Sequence, residues 1–142
     1  MKSVVALMIG FLFVGYAFAN PYDVKVTRII DGDTVEIEAP YLPNELKKVL
    51  KVRILGVDTP EKGERAKCSK ENMDSLKAKL FTEQEISNAK TIKLELKGWD
   101  KYGGRVLGDF ILDDVRLSKK MIDAGYAVAY DGGKKTKDWC AE

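Results

Sequence analysis

The sequence contains no histidine. That absence removes a histidine general base, a Ser-His-Asp triad and any zinc site built on imidazole. Chemistry in this chain has to run on carboxylates, arginines, lysines, tyrosines or a bound metal. An excess of charge of one sign is missing as well, with 24 basic against 22 acidic side chains. A general polyanion binder is therefore excluded, and any affinity for nucleic acid has to come from a local basic site. No internal repeat and no low-complexity segment is present. Apart from the first residues, there is no long hydrophobic run. Cysteine is confined to Cys68 and Cys140.

What is there fits one ordinary globular domain: 142 residues, 45% hydrophobic and 32% charged. The first 19 residues read as a removable leader. Lys2 forms a short positive region, Val4 to Val14 an apolar run too short to span a membrane comfortably, and Ala17-Phe18-Ala19 a small-x-small cleavage site. The mature domain is then expected over residues 20–142, in the periplasm or secreted. An exported chain meets an oxidising compartment, where a Cys68–Cys140 disulfide is expected and two free thiols are the alternative. Such a bridge would contribute roughly 4 kcal/mol by closing its long loop.

Strands are expected over Asp23 to Ile30, around Val35 and Ile37, and over Val49 to Val57. The Ile29-Ile30 pair breaks the alternation of the first, which predicts either a bulge or burial on both faces. Asp31-Gly32 signals a hairpin turn. Ser69 is a candidate N-cap for one long helix running to Asn88, with Met73, Leu76 and Leu80 at helical spacing; a break near Phe81 is the alternative. Thr82-x-x-Glu85 matches a capping box, which either restarts a helix there or lies within the one long helix. Strands follow over Thr91 to Leu96 and Arg105 to Leu112, then a short helix over Leu117 to Ala124 and a short strand at Tyr126 to Tyr130. Three strands, a helix, two strands and a second helix describe a mainly β, α+β chain: a small five-stranded barrel of OB type.

The chemistry gathers on Lys51 to Glu61. This stretch runs as an apolar strand, carries Arg53, and ends in Asp58-Thr59-Pro60-Glu61. A buried guanidinium needs an anionic partner. In a straight strand, Arg53 and Asp58 would stand roughly 16 Å apart, so they can share a site only if the strand curls, which Gly56 permits. Asp31, Asp33 and Asp58, presented from two turns, suit a hard cation such as Ca²⁺. Each turn taken alone is also ordinary turn chemistry. Arg105 follows Asp100-Lys101-Tyr102-Gly103-Gly104, a loop that offers a cation and a flat ring to a nucleotide.

Taken together, Ile30-Asp-Gly-Asp-Thr34, Arg53-Ile-Leu-Gly-Val-Asp-Thr-Pro-Glu61 and Asp100-Lys-Tyr-Gly-Gly-Arg105 resemble the motifs of the staphylococcal nuclease (thermonuclease) family, in order and spacing, from about Val24 to Tyr130. The resemblance implies an OB-type barrel and Ca²⁺-dependent hydrolysis of phosphodiester bonds in DNA and RNA, with little sugar specificity and 3′-phosphate ends. It implies Asp33 and Asp58 as direct metal ligands with the Thr59 carbonyl, and Asp31 near the metal through water. Arg53 and Arg105 would hold the scissile phosphate, and Glu61 would be the general base. Lys101, Tyr102 and Tyr130 would contact nucleotides. A monomer is expected, with no stable membrane association once the leader is removed. The sequence departs from the family pattern in the extra glycine at Gly103-Gly104, in the length of the segment from Lys62 to Lys67, and in the short tail after Tyr130. The alternative reading is a non-catalytic OB-fold module that binds single strands or a protein partner.

Overall fold

A computed structural model describes residues 20–141. The expected leader lies outside the described residues. The elements are β1 (Tyr22–Asp23), β2 (Val26–Asp31), β3 (Thr34–Glu38), β4 (Val49–Ile54), β5 (Val57–Asp58), α1 (Ser69–Asn88), β6 (Ile92–Trp99), β7 (Val106–Leu112), β8 (Val115–Arg116), α2 (Leu117–Asp123) and β9 (Val128–Ala129). The main sheet runs β1-β6-β7-β4-β3-β2, with β8 on β7, and β5 pairs with β9 separately. The β4–β7 ladder is parallel and the other pairs are antiparallel. One chain segment joins the two ends of the sheet. Tyr22 and Asp23 pair with β6, Val24 still donates to the Ile92 carbonyl, and from Val26 the chain pairs with β3. This is the mainly β, OB-type α+β arrangement expected.

The alternating apolar positions of the strands fill the interior. Val35, Ile37, Val52, Ile54, Leu94, Phe110 and Leu112 are buried there, capped by Leu117 and Met121 of α2. Each such side chain contributes roughly 1.5–3 kcal/mol by leaving water. The expected bulge is present: the β2–β3 register shifts between Ile29 and Asp31.

Two expectations change. The strand over Val49 to Val57 stops at Ile54, and Leu55-Gly56 turns the chain before β5. Gly56 has φ 83°, a left-handed conformation that glycine adopts without strain. The bend that Gly56 permits is therefore present. Helix α1 is the one long helix expected, 20 residues without a break at Phe81, but its N-cap is Cys68, not Ser69. The Cys68 sulfur accepts the Glu71 N–H at 3.4 Å.

The helix also buries an unexpected face. Met73, Leu76 and Leu80 are exposed, while Glu71, Ser75, Ala78, Thr82 and Ile86 face inward. Small side chains at Ser75 and Ala78 let the helix approach the β2–β3 turn closely. A Cβ placed on Gly32 would meet the Ala78 Cβ at 2.9 Å, so only glycine fits there. Thr82 is not a cap. Its hydroxyl donates to the Gly32 carbonyl at 2.7 Å inside the protein. Helix α1 thus fixes the turn that carries Asp31 and Asp33.

Candidate functional site

Three backbone features converge at one end of the barrel: the β2–β3 turn, the bend after β4 and the loop between β6 and β7. Between them lies a cleft of about 510 Å³. Asp31, Asp33, Arg53, Thr59 and Glu61 line one part of it, and Lys101, Tyr102, Arg105 and Tyr130 line another. Nine residues singled out from the sequence therefore share one cavity. Asp58 is the exception. It is buried behind this wall, its carboxylate facing the C-terminal tail.

Arg53 finds the anion its burial requires. Its Nη1 lies 3.0 Å from Asp33 Oδ2, with both side chains largely out of solvent. The same guanidinium donates to the Ile54 carbonyl at 2.9 Å and the Val57 carbonyl at 3.2 Å, spanning the Gly56 bend. The Asp33 carboxylate also accepts the Thr59 hydroxyl at 2.8 Å and the Thr34 hydroxyl at 3.0 Å. Arg105 pairs with Asp100 across its own hairpin. That hydrogen bond, opposed by burial, holds the Asp100 carboxyl below its ordinary pKa.

Among the described residues, Asp31 is paired only at long range, with Lys62. Burial first, then the charge and hydrogen bond of Asp33, push its carboxyl above the ordinary carboxylate pKa, while Lys62 and Thr34 pull the other way. Lys62 stands 3.8 Å away, and the buried Oδ1 of Asp31 has no hydrogen-bond partner. The donors here are hard oxygens with an unmet acceptor, which fits a hard divalent cation. Among the described residues, no three Asp, Glu, His or Cys side chains form a ready-made metal cluster.

Several residues that shape the site gave little sign in the sequence. Glu71 is buried at the start of α1, and its carboxylate accepts the Glu61 N–H at 3.1 Å and the Lys67 N–H at 2.8 Å. It fixes the loop on which Glu61 stands. An acidic residue in the first turn of a helix is ordinary dipole chemistry, so the sequence does not mark it out. Lys135 reaches back from the tail, with Nζ 2.7 Å from Asp58 Oδ1 and 2.9 Å from Glu61 Oε1. Burial alone would lower the pKa of this ammonium, but the two carboxylates together outweigh burial and raise it. The other oxygen of Glu61 is 3.2 Å from Arg65 Nε. Trp99, 70% exposed, stands on the cleft rim with Tyr102, 81% exposed. The adjoining Asp100-Lys101-Tyr102 motif was the one available clue to Trp99. The expected disulfide is present between Cys68 and Cys140.

A mainly β domain of OB type, with arginines and carboxylates facing each other across a cleft at the mouth of the barrel, defines a class suited to anionic ligands. The chain belongs to the family described as "Staphylococcal nuclease homologue", which matches residues 51–140. It is 31% identical over 136 residues to an uncharacterized protein, MJ1439, of Methanocaldococcus jannaschii, covering 80% of this chain and 62% of that one. It is 29% identical over 109 residues to an "uncharacterized endonuclease" of Escherichia coli, covering 75% of this chain and 60% of the relative. It is also 29% identical over 119 residues to Endonuclease YhcR of Bacillus subtilis, covering 77% of this chain but 9% of that protein. The chain thus spans about three-fifths of the length of the first two relatives.

Proposed function

We propose that this chain is a Ca²⁺-dependent nuclease that hydrolyses phosphodiester bonds of DNA and RNA with little sugar specificity and leaves 3′-phosphate ends. The observation that carries the reading is the shared cleft, in which Arg53 and Arg105 accompany Asp33 and Glu61. Family membership and relatives named as endonucleases support it.

The arginines would bind the phosphoryl oxygens, where planar forks meet charge that grows in the transition state. Glu61 would take a proton from the attacking water. The water oxygen bonds to phosphorus, the bond from phosphorus to the 5′ oxygen breaks, and that oxygen leaves with a proton drawn from solvent. Asp33 and the Thr59 carbonyl would hold the cation from the cleft, Asp58 would join them only after leaving its Lys135 partner behind the wall, and Asp31 would act through water. When bound, Ca²⁺ polarises the phosphate. Lys101, Tyr102 and Tyr130 would contact the nucleotides beside the broken bond. Export as a monomer completes the proposal, and the Cys68–Cys140 disulfide supports an oxidising destination.

The second reading is a non-catalytic module that binds single strands. It is favoured by the cationic partners that Asp33 and Asp58 already have. Hydrolysis of single-stranded DNA by the purified domain separates the two, run with millimolar Ca²⁺, with chelator, and with Glu61→Gln. Calcium-dependent cleavage that is lost in the variant supports the nuclease. Tight binding without cleavage favours the module.

A further inference from the structure

Strand β6 ends in a side chain that the fold turns toward the cleft. Earlier in the strand, Leu94 lies opposite Phe110 of β7, and both are buried on the inner face of the barrel. Simple alternation would put Trp99 on the other face, with Glu95 and Lys97. The β6–β7 register shifts between Leu96 and Gly98, and Gly98 has φ 149°. One extra residue exchanges the faces of every position beyond it. Trp99 therefore stands opposite Val106, on the side that Val106 and Phe110 share. The strand stops there, at the mouth of the barrel, and leaves the ring uncovered. Trp99 is 70% exposed and lines the cleft that holds Arg53 and Arg105.

We propose that Trp99 is a stacking platform for one unpaired nucleobase of the bound strand, and that through it the cleft selects single-stranded over double-stranded nucleic acid. The proposal deepens the reading of the cleft as a nucleic-acid site and rests on it. An indole left in water adds little to the fold, because its stabilising power comes from burial. The neighbouring groups name the occupant. Arg53, Arg105 and Lys101 line the same cleft and suit an anionic backbone. A flat ring beside such cations suits a base joined to that backbone. Lys101 already lies over the Tyr102 ring, 5.0 Å from its centroid, so the indole is the larger open face. Leu55 and Leu107 add apolar surface to the same cavity. A base that stacks on Trp99 must offer a bare face. In a duplex each base is covered by its neighbours, and freeing one costs unpairing and unstacking energy, which a single strand largely avoids.

The test compares the disulfide-bonded chain with Trp99→Ala and Trp99→Phe. Binding of labelled oligothymidylate and of a duplex of equal length is read by fluorescence anisotropy in chelator, and cleavage is read with Ca²⁺. Trp99→Ala should weaken binding of the single strand about five- to hundredfold and lower kcat/KM on it by a similar factor. Its duplex affinity should stay within about twofold, and Trp99→Phe should fall between the wild type and Trp99→Ala. A stable abasic analogue at one position of the strand should suppress wild-type cleavage of the bond at one fixed offset from it. Trp99→Ala should erase that pattern, since the stacked pair is already broken. A Trp99→Ala protein that binds and cleaves single strands like the wild type overturns the inference alone. So does a loss of equal size on the single strand and the duplex, or an abasic pattern that survives in Trp99→Ala. A wild type that binds single strands through Trp99 but cleaves nothing sinks the nuclease reading and leaves this inference standing. A wild type that neither binds nor cleaves overturns both.

Discussion

The Thr82 hydroxyl donates to the Gly32 carbonyl at 2.7 Å, and through this buried bond the middle of α1 holds the turn that presents Asp33. Thr82→Val keeps the shape of the side chain and removes the donor. It leaves a buried carbonyl unsatisfied, which costs about 1–3 kcal/mol. Urea denaturation should show that loss, and Asp33 should lose its fixed position relative to Arg53. An unchanged midpoint would mean that Gly32 finds another donor.

Gly32→Ala tests the same contact from the other side. The added methyl would stand 2.9 Å from the Ala78 Cβ, an atom fixed to the helix backbone. Overpacking of this kind costs about 1–3 kcal/mol. Gly32→Ala combined with Ala78→Gly relieves the clash, although glycine within the helix costs about 1 kcal/mol of its own. The double variant should therefore be more stable than the sum of the two single effects.

Arg53 makes contacts that lysine cannot copy. Its two terminal nitrogens reach Asp33, the Ile54 carbonyl and the Val57 carbonyl together. Arg53→Lys keeps the charge but not the fork. Turnover should fall by about 10²-fold or more, with a stability loss of about 1–2 kcal/mol from the unbridged bend. Steady-state kinetics and thermal melting on the same preparation check both. Near-normal turnover would remove Arg53 from the phosphate site.

The acid side of the stability curve should carry a signature of Asp113. Its carboxylate accepts the N–H groups of Thr91 and Lys90, which hold its pKa below the ordinary value. A depressed folded-state pKa adds stability that is present above the unfolded value, near 3.9, and is lost as pH falls through the folded value. Asp113→Asn keeps an acceptor oxygen and removes the charge. Wild type should exceed the variant in urea midpoint at neutral pH, and the difference should shrink below about pH 4. A gap of constant size would assign the effect to geometry instead.

The disulfide closes a loop with a sequence separation of 72. Its reduction should cost roughly 4 kcal/mol in the chain-entropy picture. Denaturation with and without reductant measures it.

Much of this molecule was legible because its local signals agree. The alternation of Val35 and Ile37, the bulge at Ile29-Ile30 and the turn at Asp31-Gly32 each follow from backbone rules that act within a few residues. The cleft residues were legible through the motifs that carry Arg53, Glu61 and Arg105. The buried face of α1 was not. Leu76 and Leu80 look like a core stripe, yet close approach to the turn requires the small Ala78 and the hydrogen-bonding Thr82, and leucines would not fit there. Glu71 and Lys135 escaped notice for a related reason. Their roles depend on partners 10 residues away for Glu71 and more than 70 for Lys135, and no local period encodes that distance.

The parallel β4–β7 ladder has a consequence for the order in which the protein forms. Val52 pairs with Val106, so this ladder closes a long stretch of chain that includes all of α1 and β6. The hairpins β2–β3 and β6–β7 close much shorter loops and can form first. Arg53 lies on β4 and Arg105 immediately precedes β7. The two cationic walls of the cleft therefore belong to separate halves of the chain until this late pairing joins them. A nascent or partly unfolded chain has no assembled cleft, and the site comes into being only with the completed barrel.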